Sequence, residues 1–545
     1  MLGISLGIST TNLKRMGDGA TATLFAPAQP GVAIAPPSRS VTIRGTEYPL
    51  VLPRLRDSRL HVAAVVITLH TLGQVGLGFH VSVPQILAAI LTSALLQVAI
   101  TFWQKRAFVW PASAMLTGSG IALILRVPST PVGDHWTFHK WWLFSAISAF
   151  SLLTKFIVRR SGSHVFNPSN IGLVIAFIVL GSNVVEPLDF WWAPLSNPSM
   201  VIAYAVILIG GSLVARRLGL LVTVVSFWLV LATGMAINSA AGMCFTARWS
   251  FSPVCGSHLW LTIVTSPEIM IFTYFMITDP RTVPLGRVGR AMFGAIVGVV
   301  CVLFMAPQTT EFGAKVGLLA GLSVMTLARP LLERWVPAAG SDADHLRAYA
   351  RRSLSTPVRA TAVITTALLI TVGLSFAANS AQGLIAGEPE DLMGRMATRI
   401  DPSTFPDITV DSEVTDWNHE LDVEGARAVV LTLAENLALE SQALVDGDES
   451  LLEAVDHGDR LDTMRNRLSD AATSAPMVST YSFDSVRVKL LIPFGRQSGL
   501  SLGMVVRGTV TTNGRSSDFE TMWAMRRATG DRWLIVAELP VPAES

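Results

Sequence analysis

With a formal net charge of +2 over 545 residues, the chain lacks the bulk positive charge of a general nucleic-acid binder, and no nucleic-acid partner is expected. Three cysteines, Cys244, Cys255 and Cys301, are too few for a disulfide scaffold or a zinc cluster, and no metal centre is expected. Half of the residues are hydrophobic and only 15% are charged, and apolar windows of membrane-spanning length recur from about residue 61 to residue 378. The composition predicts a polytopic α-helical membrane protein.

Gly, Ser, Thr, Pro and Ala dominate the first fifty residues, and no continuous apolar core follows Lys14 and Arg15. Residues 1–60 therefore read as a largely disordered cytoplasmic tail rather than a signal peptide. Within it Ser40 to Leu52, with Val41, Ile43 and Tyr48, adds either a short strand or an extended strap. Apolar segments follow at about 61–79, 84–102, 110–127, 138–157, 170–183, 199–214, 218–237, 259–278, 289–306, 313–330 and 358–378. About eleven transmembrane helices are expected, the fifth and sixth of them short for a ~30 Å hydrocarbon core. Ten lie in a membrane core at 61–330; a basic cytoplasmic loop, 331–357, separates them from the eleventh.

Lys and Arg set the expected orientation. Arg54, Arg56 and Arg59 precede the first span, Lys105 and Arg106 follow the second, and Lys155, Arg159 and Arg160 follow the fourth. Arg216 and Arg217 follow the sixth, and Arg281, Arg287 and Arg290 the eighth. Every other connection carries the excess, so the amino terminus is expected in the cytoplasm and the far end outside. Cys244 and Cys255 then share an external loop, where a disulfide is compatible with the compartment but not required by the spacing. Cys301, inside the ninth span, reads as a buried inert thiol.

Beyond an acidic linker, 379–420, the pattern changes. Helices are expected at about Glu424 to Val445 and Leu451 to Ala472, then alternating strands through Val486 to Ile492, Phe519 to Met525 and Trp533 to Leu539, the last entered by the turn Thr529-Gly530-Asp531. Helices followed by long antiparallel strands resemble the cone-shaped α+β fold of the NTF2-like family, placed here at 421–545 as an extracytoplasmic domain. Interaction with a protein or a small ligand is the expected role, because no nucleophile, metal-ligand cluster or acid–base pair stands out in it.

Three stretches carry the membrane part. Leu116-Thr117-Gly118-Ser119-Gly120 lies in span three; Ser161-Gly162-Ser163-His164-Val165-Phe166-Asn167-Pro168-Ser169-Asn170 opens span five; Phe275-Met276-Ile277-Thr278-Asp279-Pro280 closes span eight. Together they resemble signatures of the NqrB/RnfD family, which comprises membrane components of sodium-pumping NADH:quinone oxidoreductase and of Rnf-type electron-transport complexes, with related membrane proteins of enediyne biosynthesis. The resemblance covers roughly residues 61–330. It implies two inverted five-helix repeats in a bacterial plasma membrane, a bound flavin (FMN or riboflavin), and partnership with other membrane redox subunits and with lipid. The Ser-Gly-Ala-Thr tetrapeptide that carries covalent FMN in that family is absent from this chain, so any flavin is expected to be noncovalent.

The cofactor-binding candidates are accordingly Thr117, Gly118, Ser161, Gly162, His164, Asn167, Pro168, Asn170, Thr278 and Asp279. The residues themselves leave alternatives open. Asn167 and Asn170 beside a helix N-terminus suit a phosphate or a ring carbonyl, or they simply cap the helix. His164 reads either as a headgroup-level side chain or as a titrating group. Thr117 and Gly118 read either as a ligand contact or as a close helix approach, and Asp279 either as a functional carboxylate or as a helix-end partner of Arg281. Glu268, beside Pro267 near mid-span, is either an ion or proton site, with Arg126 as a candidate partner, or an interfacial residue. Broken segments at matching places in two halves point to a transport or cofactor site, so a channel or secondary transporter on the same scaffold is the alternative to a redox subunit. His70 and Gln74 are expected to bond between helices, and Trp141, Trp142, Trp191 and Trp192 to form an aromatic belt.

Overall fold

The computed structural model describes residues 39–128, 130, 134–160, 162–182, 184–188, 197–247, 250, 253–335, 369–370, 372–380, 392, 394–395, 400–401, 405–471, 479–491, 501–512, 514–528 and 532–541. The tail up to residue 38, Ser161, Trp191, Trp192, the basic loop from residue 336, most of the eleventh apolar segment and the turn at 529–531 lie outside these. The chain divides into two compact units. One is 1–241 with 260–307 and 312–378; the other is 242–259 with 308–311 and 379–545.

The first unit opens with a hairpin, β1 (Ser40–Ile43) and β2 (Thr46–Val51), whose second strand pairs in parallel with β3 (Phe108–Val109). The stretch from Ser40 is thus a strand pair. Helices α1 (Ser58–Val75), α2 (Val83–Lys105), α3 (Ala112–Ile124), α4 (Trp141–Ile157) and α5 (Pro168–Leu180) follow. The next five segments are α6 (Pro198–Arg217), α7 (Leu221–Ala240), the bent pair α8 (Gly256–Thr265) and α9 (Pro267–Met276), α10 (Arg287–Met305) and α11 (Glu311–Trp335). The segment expected to be a short sixth span is a 20-residue helix with a π-helical turn at Val206–Gly210, its apolar run continuing through Gly210 and Gly211 to the Arg216-Arg217 end.

Six described helices are long and apolar enough to cross a membrane, or seven if α8 and α9 count as one span. One of the six belongs to the other unit and buries its apolar face on a sheet, as described below. The helices of the first unit do the opposite. Leu91, Leu95, Ile178, Val179, Ile209 and Leu229 point outward, an arrangement that water penalises and hydrocarbon does not. Helix ends supply their own partners where sequence allows: Ser82 and Gln85 form a capping box on α2, and Ser266 caps α9 after the break.

The second unit holds a five-stranded sheet in the order β10 (Ile408–Val410), β11 (Ser479–Leu491), β12 (Ser501–Thr512), β13 (Arg515–Arg527), β14 (Trp533–Leu539). β10 pairs in parallel with β11 and the rest are antiparallel. A short helix α12 (Ser412–Trp417) precedes the long α13 (Val423–Asp446). Val429, Leu433 and Leu437 of α13 lie against Val488, Met504, Trp523 and Ile535, which makes α13 a core helix rather than a span. The expected second helix is two, α14 (Glu449–Val455) and α15 (Asp459–Ala471), interrupted at Asp456-His457-Gly458, where Gly458 takes φ +60°. Part of the acidic linker is structural, since β10 and α12 belong to the sheet domain.

In this unit Cys244 and Cys255 face each other across the strand pair β8 (Cys244–Phe245) and β9 (Val254–Cys255) and are joined by a disulfide. The bridge closes a loop of 11 residues in sequence separation. Cys244→Ser is expected to remove about 2–3 kcal/mol of stability, read as a lower thermal midpoint of the purified protein, and to leave Cys255 open to a thiol reagent. Cys301 is buried in α10 and its thiol donates to the Leu318 carbonyl.

Candidate functional site

Two of the three sequence motifs are joined by side-chain hydrogen bonds, and the first packs on the second at Gly120, where a Cβ would lie 3.3 Å from Ser169 Oγ. Pro168 starts α5 at a position where its missing N–H costs nothing. The strand pair β5 (Arg159–Arg160) and β6 (Ser163–His164) folds back just before it, turning through Gly162 at φ +80°. The turn presents His164 and Asn167 to the end of α9. His164 Nε2 lies 2.8 Å from Asp279 Oδ2, and Asn167 Nδ2 donates to the Met276 carbonyl at 3.0 Å. Residues 115 apart in sequence are thus in direct contact. His164 is only 7% exposed, packed inside the protein at this junction.

Asp279 accepts from the Arg281 backbone N–H through its other oxygen, so its side chain closes the turn after α9 while also pairing with His164. His164 pairs with it by side chain, while Arg281 contributes its backbone N–H and a nearby positive charge. Thr278 Oγ1 donates to the Tyr274 carbonyl within the same turn. Around Asp279 stand several cations: Arg281 is held down by burial and by Arg59 and Arg159, with Asp279 opposing them. Lys155 of α4 donates to Gln97 Oε1 at 3.0 Å and to Ser113 Oγ at 2.9 Å, tying α4 to α2 and α3.

Asn170, one turn into α5, donates both to the Leu319 carbonyl and to Ser323 Oγ of α11, at 2.9 and 2.8 Å. Its Oδ1 is buried without a partner among the described residues, as is Ser163 Oγ. Such orphaned polar atoms cost free energy unless a ligand or water completes them.

Thr117 and Gly118 make different contacts. Thr117 Oγ1 donates back to the Ser113 carbonyl. A Cβ on Gly118 would lie 2.4 Å from the Ala89 carbonyl oxygen, so the glycine is there to let α3 touch the α2 backbone. His70 of α1 reaches Ser119 Oγ at 3.1 Å, the interhelical bond expected of it, and His135 Nδ1 lies 3.0 Å from Gln74 Oε1.

Glu268 has a different partner from the expected one. Its carboxylate pairs with Lys315 Nζ of α11 at 3.1 Å. Arg126 instead lies opposite Glu186, in the two-residue ladder of β4 (Leu125–Arg126) and β7 (Glu186–Pro187), and both are buried. The break between α8 and α9 that holds Glu268 also frees the Thr265 carbonyl, which accepts from the Tyr204 hydroxyl at 2.9 Å. Helix α11 therefore carries Lys315, the Leu319 carbonyl and Ser323 at one-turn spacing, and Arg329 six residues further on. In order they meet Glu268, Asn170, Asn170 again and the Arg281 carbonyl.

The sequence reading missed Lys315, Glu186 and a buried charge cluster in the sheet domain. There Arg460 of α15 forks onto Glu440 of α13 with 2.8 and 2.6 Å contacts, and its other arm reaches Glu538 of β14 at 2.6 Å. The signal was present on α13: Asn436 and Glu440 continue the apolar stripe Val429, Leu433 at helical spacing. Polar residues in a buried stripe require partners. Among the described residues no three His, Cys, Asp or Glu side chains converge to hold a metal ion. No protein-family model matches the chain, and no curated protein matches it.

Proposed function

We propose that the chain is an integral membrane subunit of an electron-transport system, holding a flavin noncovalently at the junction of α5, α9 and α11. The observation that carries the reading is the contact between the Phe-Asn-Pro and Thr-Asp-Pro stretches through His164–Asp279 and Asn167–Met276. Two family-like motifs at helix breaks are brought to one place, as a cofactor site between repeats requires. The residues suit the polar edge of a flavin: Asn170 Oδ1 accepts from a ring N–H, Ser163 Oγ donates to a ring carbonyl, and Arg59, Arg159 and Arg281 favour the phosphate of FMN. When bound, the flavin supplies the electron-carrying chemistry, and these side chains orient it.

The two sets of five segments support an inverted-repeat plan of ten spans with an eleventh leading to an external domain. In each set the second helix packs on the fourth, α2 on α4 and α7 on α10. Alternation of Lys and Arg along the loops favours a cytoplasmic side of a plasma membrane for the amino terminus and the His164–Asp279 junction.

The detergent-purified protein is expected to show flavin absorption that is released by acid denaturation, and Asn170→Leu is expected to lower the flavin content severalfold. A colourless protein after gentle purification, or unchanged flavin in Asn170→Leu, removes the assignment. The Glu268–Lys315 pair beside a helix break favours a second reading, an ion or small-solute channel or transporter. Flux in liposomes that is lost in Glu268→Gln, from a protein without flavin, would select it.

A further inference from the structure

Two arginines of the sheet domain meet opposite surroundings. Arg460 is answered by Glu440 and Glu538. Arg526, near the end of β13, forms no hydrogen bond or ion pair among the described residues, and its Nε is shut away from solvent. Burial, with no carboxylate opposing it, pulls its guanidinium below the usual arginine value.

The strand register shows what stands around it. Arg526 pairs with Leu534 of β14, and continuation of the Leu502–Met525 pairing sets Ser501 of β12 on its other side. Ser501 in turn pairs with Leu491 of β11. Leu502, Met525 and Ile535, the next residues along their strands, belong to the core under α13. The row Leu491, Ser501, Arg526, Leu534 therefore lies on the opposite face of the sheet. Ser501 is 2% exposed, and its hydroxyl is also without a partner among the described residues. Directly opposed side chains on one face stand about 5 Å apart at Cβ. A buried cation without a counter-charge and a buried hydroxyl without a hydrogen bond each cost free energy, and one anion relieves both. The row itself holds no carboxylate to compete for the guanidinium. Lys489, half-buried and two residues before Leu491 on the same face, adds positive potential. His457 stands exposed beside β14, its N–H donating to the Ile535 carbonyl. Its ring is held below the usual histidine value by burial and then by Arg526, with Asp462 opposing.

We propose that this row of the sheet binds a small carboxylic acid as its anion, the Arg526 guanidinium holding the carboxylate oxygens and Ser501 Oγ donating to one of them. The edge of a guanidinium matches a planar carboxylate with two parallel bonds. Leu491 and Leu534 bracket the row, which suits an acid with a short apolar tail. The site does not depend on the redox reading, since all of its residues lie in the sheet domain.

The test uses the full chain in detergent, in chloride buffer, with propionate as the probe, followed by calorimetry and by the thermal midpoint. Propionate is expected to bind and to raise the midpoint. Arg526→Met is expected to abolish binding and, without propionate, to melt no lower than the unmodified protein, because an apolar side chain replaces an unanswered charge. Arg526→Lys keeps the charge but not the fork and is expected to weaken binding at least about tenfold; Ser501→Ala is expected to weaken it severalfold. The proposal is overturned if the unmodified protein binds no propionate, if Arg526→Met binds it equally well, or if inorganic phosphate binds more tightly. An Arg526→Met protein that melts well below the unmodified one would overturn it too, since the arginine would then be answered within the fold.

Discussion

Glu440→Ala is expected to destabilise the sheet domain by about 3–5 kcal/mol, the largest loss from any single side chain in that unit. Arg460 stays charged at every accessible pH, and its guanidinium is buried among α13, α15 and β14. Removing Glu440 deletes both bonds of the fork and leaves Glu538, itself half in solvent, as the one carboxylate bonded to the buried cation among the described residues, with Asp456 nearby. Denaturant unfolding of the full chain, followed by tryptophan emission, reads the loss. Arg465→Ala, which removes an exposed network with Glu449 and Glu453, is expected to leave the transition where it was.

The same cluster gives this domain a pH dependence of unusual sign. Asp456 is 1% exposed and lies beside the Glu440 carboxylate. Burial, and then the neighbouring Glu440 carboxylate, hold its carboxyl well above the ordinary value of 3.8, with Arg460 opposing. The folded state therefore keeps a proton that the unfolded chain has already released. That contribution to stability is full below 3.8 and is lost as pH rises through the folded value. Asp456→Asn is expected to flatten the stability profile above about pH 4 and to raise stability toward neutral and alkaline pH. A steeper profile in Asp456→Asn would contradict the retained proton.

The second large effect lies at the junction of α5 and α9. Asp279→Ala and His164→Ala are each expected to cost about 1.5–3 kcal/mol, the range for hydrogen bonds to charged groups, and to be strongly non-additive. Once one partner is gone, the other has little left to lose. A double-mutant cycle on thermal stability in detergent is expected to return a coupling energy of about 1–3 kcal/mol. If the two losses simply add, the pair does not act as a unit and the junction loses its main tie. Flavin content measured on the same four proteins separates geometry from use: the coupling tests the contact, and the flavin tests what the contact serves.

Much of the architecture was legible because it follows from local pattern. Apolar runs marked the helices of the first unit within a few residues, and period-two alternation marked β11, β13 and β14. Strand β12 went unread although Met504 and Val506 alternate inward, since the flanking Gly503 and Gly508 dilute the signal. The break in the eighth segment was visible in Ser266-Pro267, because proline cannot continue the hydrogen-bond ladder of a helix.

The partners were a different matter. The sequence by itself determined that Glu268 needs a counter-charge, that Asn167 and Asn170 stand at a helix start, and that Asn436 and Glu440 interrupt an apolar stripe. Only the tertiary structure decided that Lys315 answers Glu268 while Arg126 lies beside Glu186, that His164 meets Asp279, and that Arg460 is drawn under β14. The physical reason is one of range. Hydrophobic periodicity and turn chemistry are written within a dozen residues, whereas a buried charge takes whichever opposite charge the packing of distant elements brings within about 4 Å.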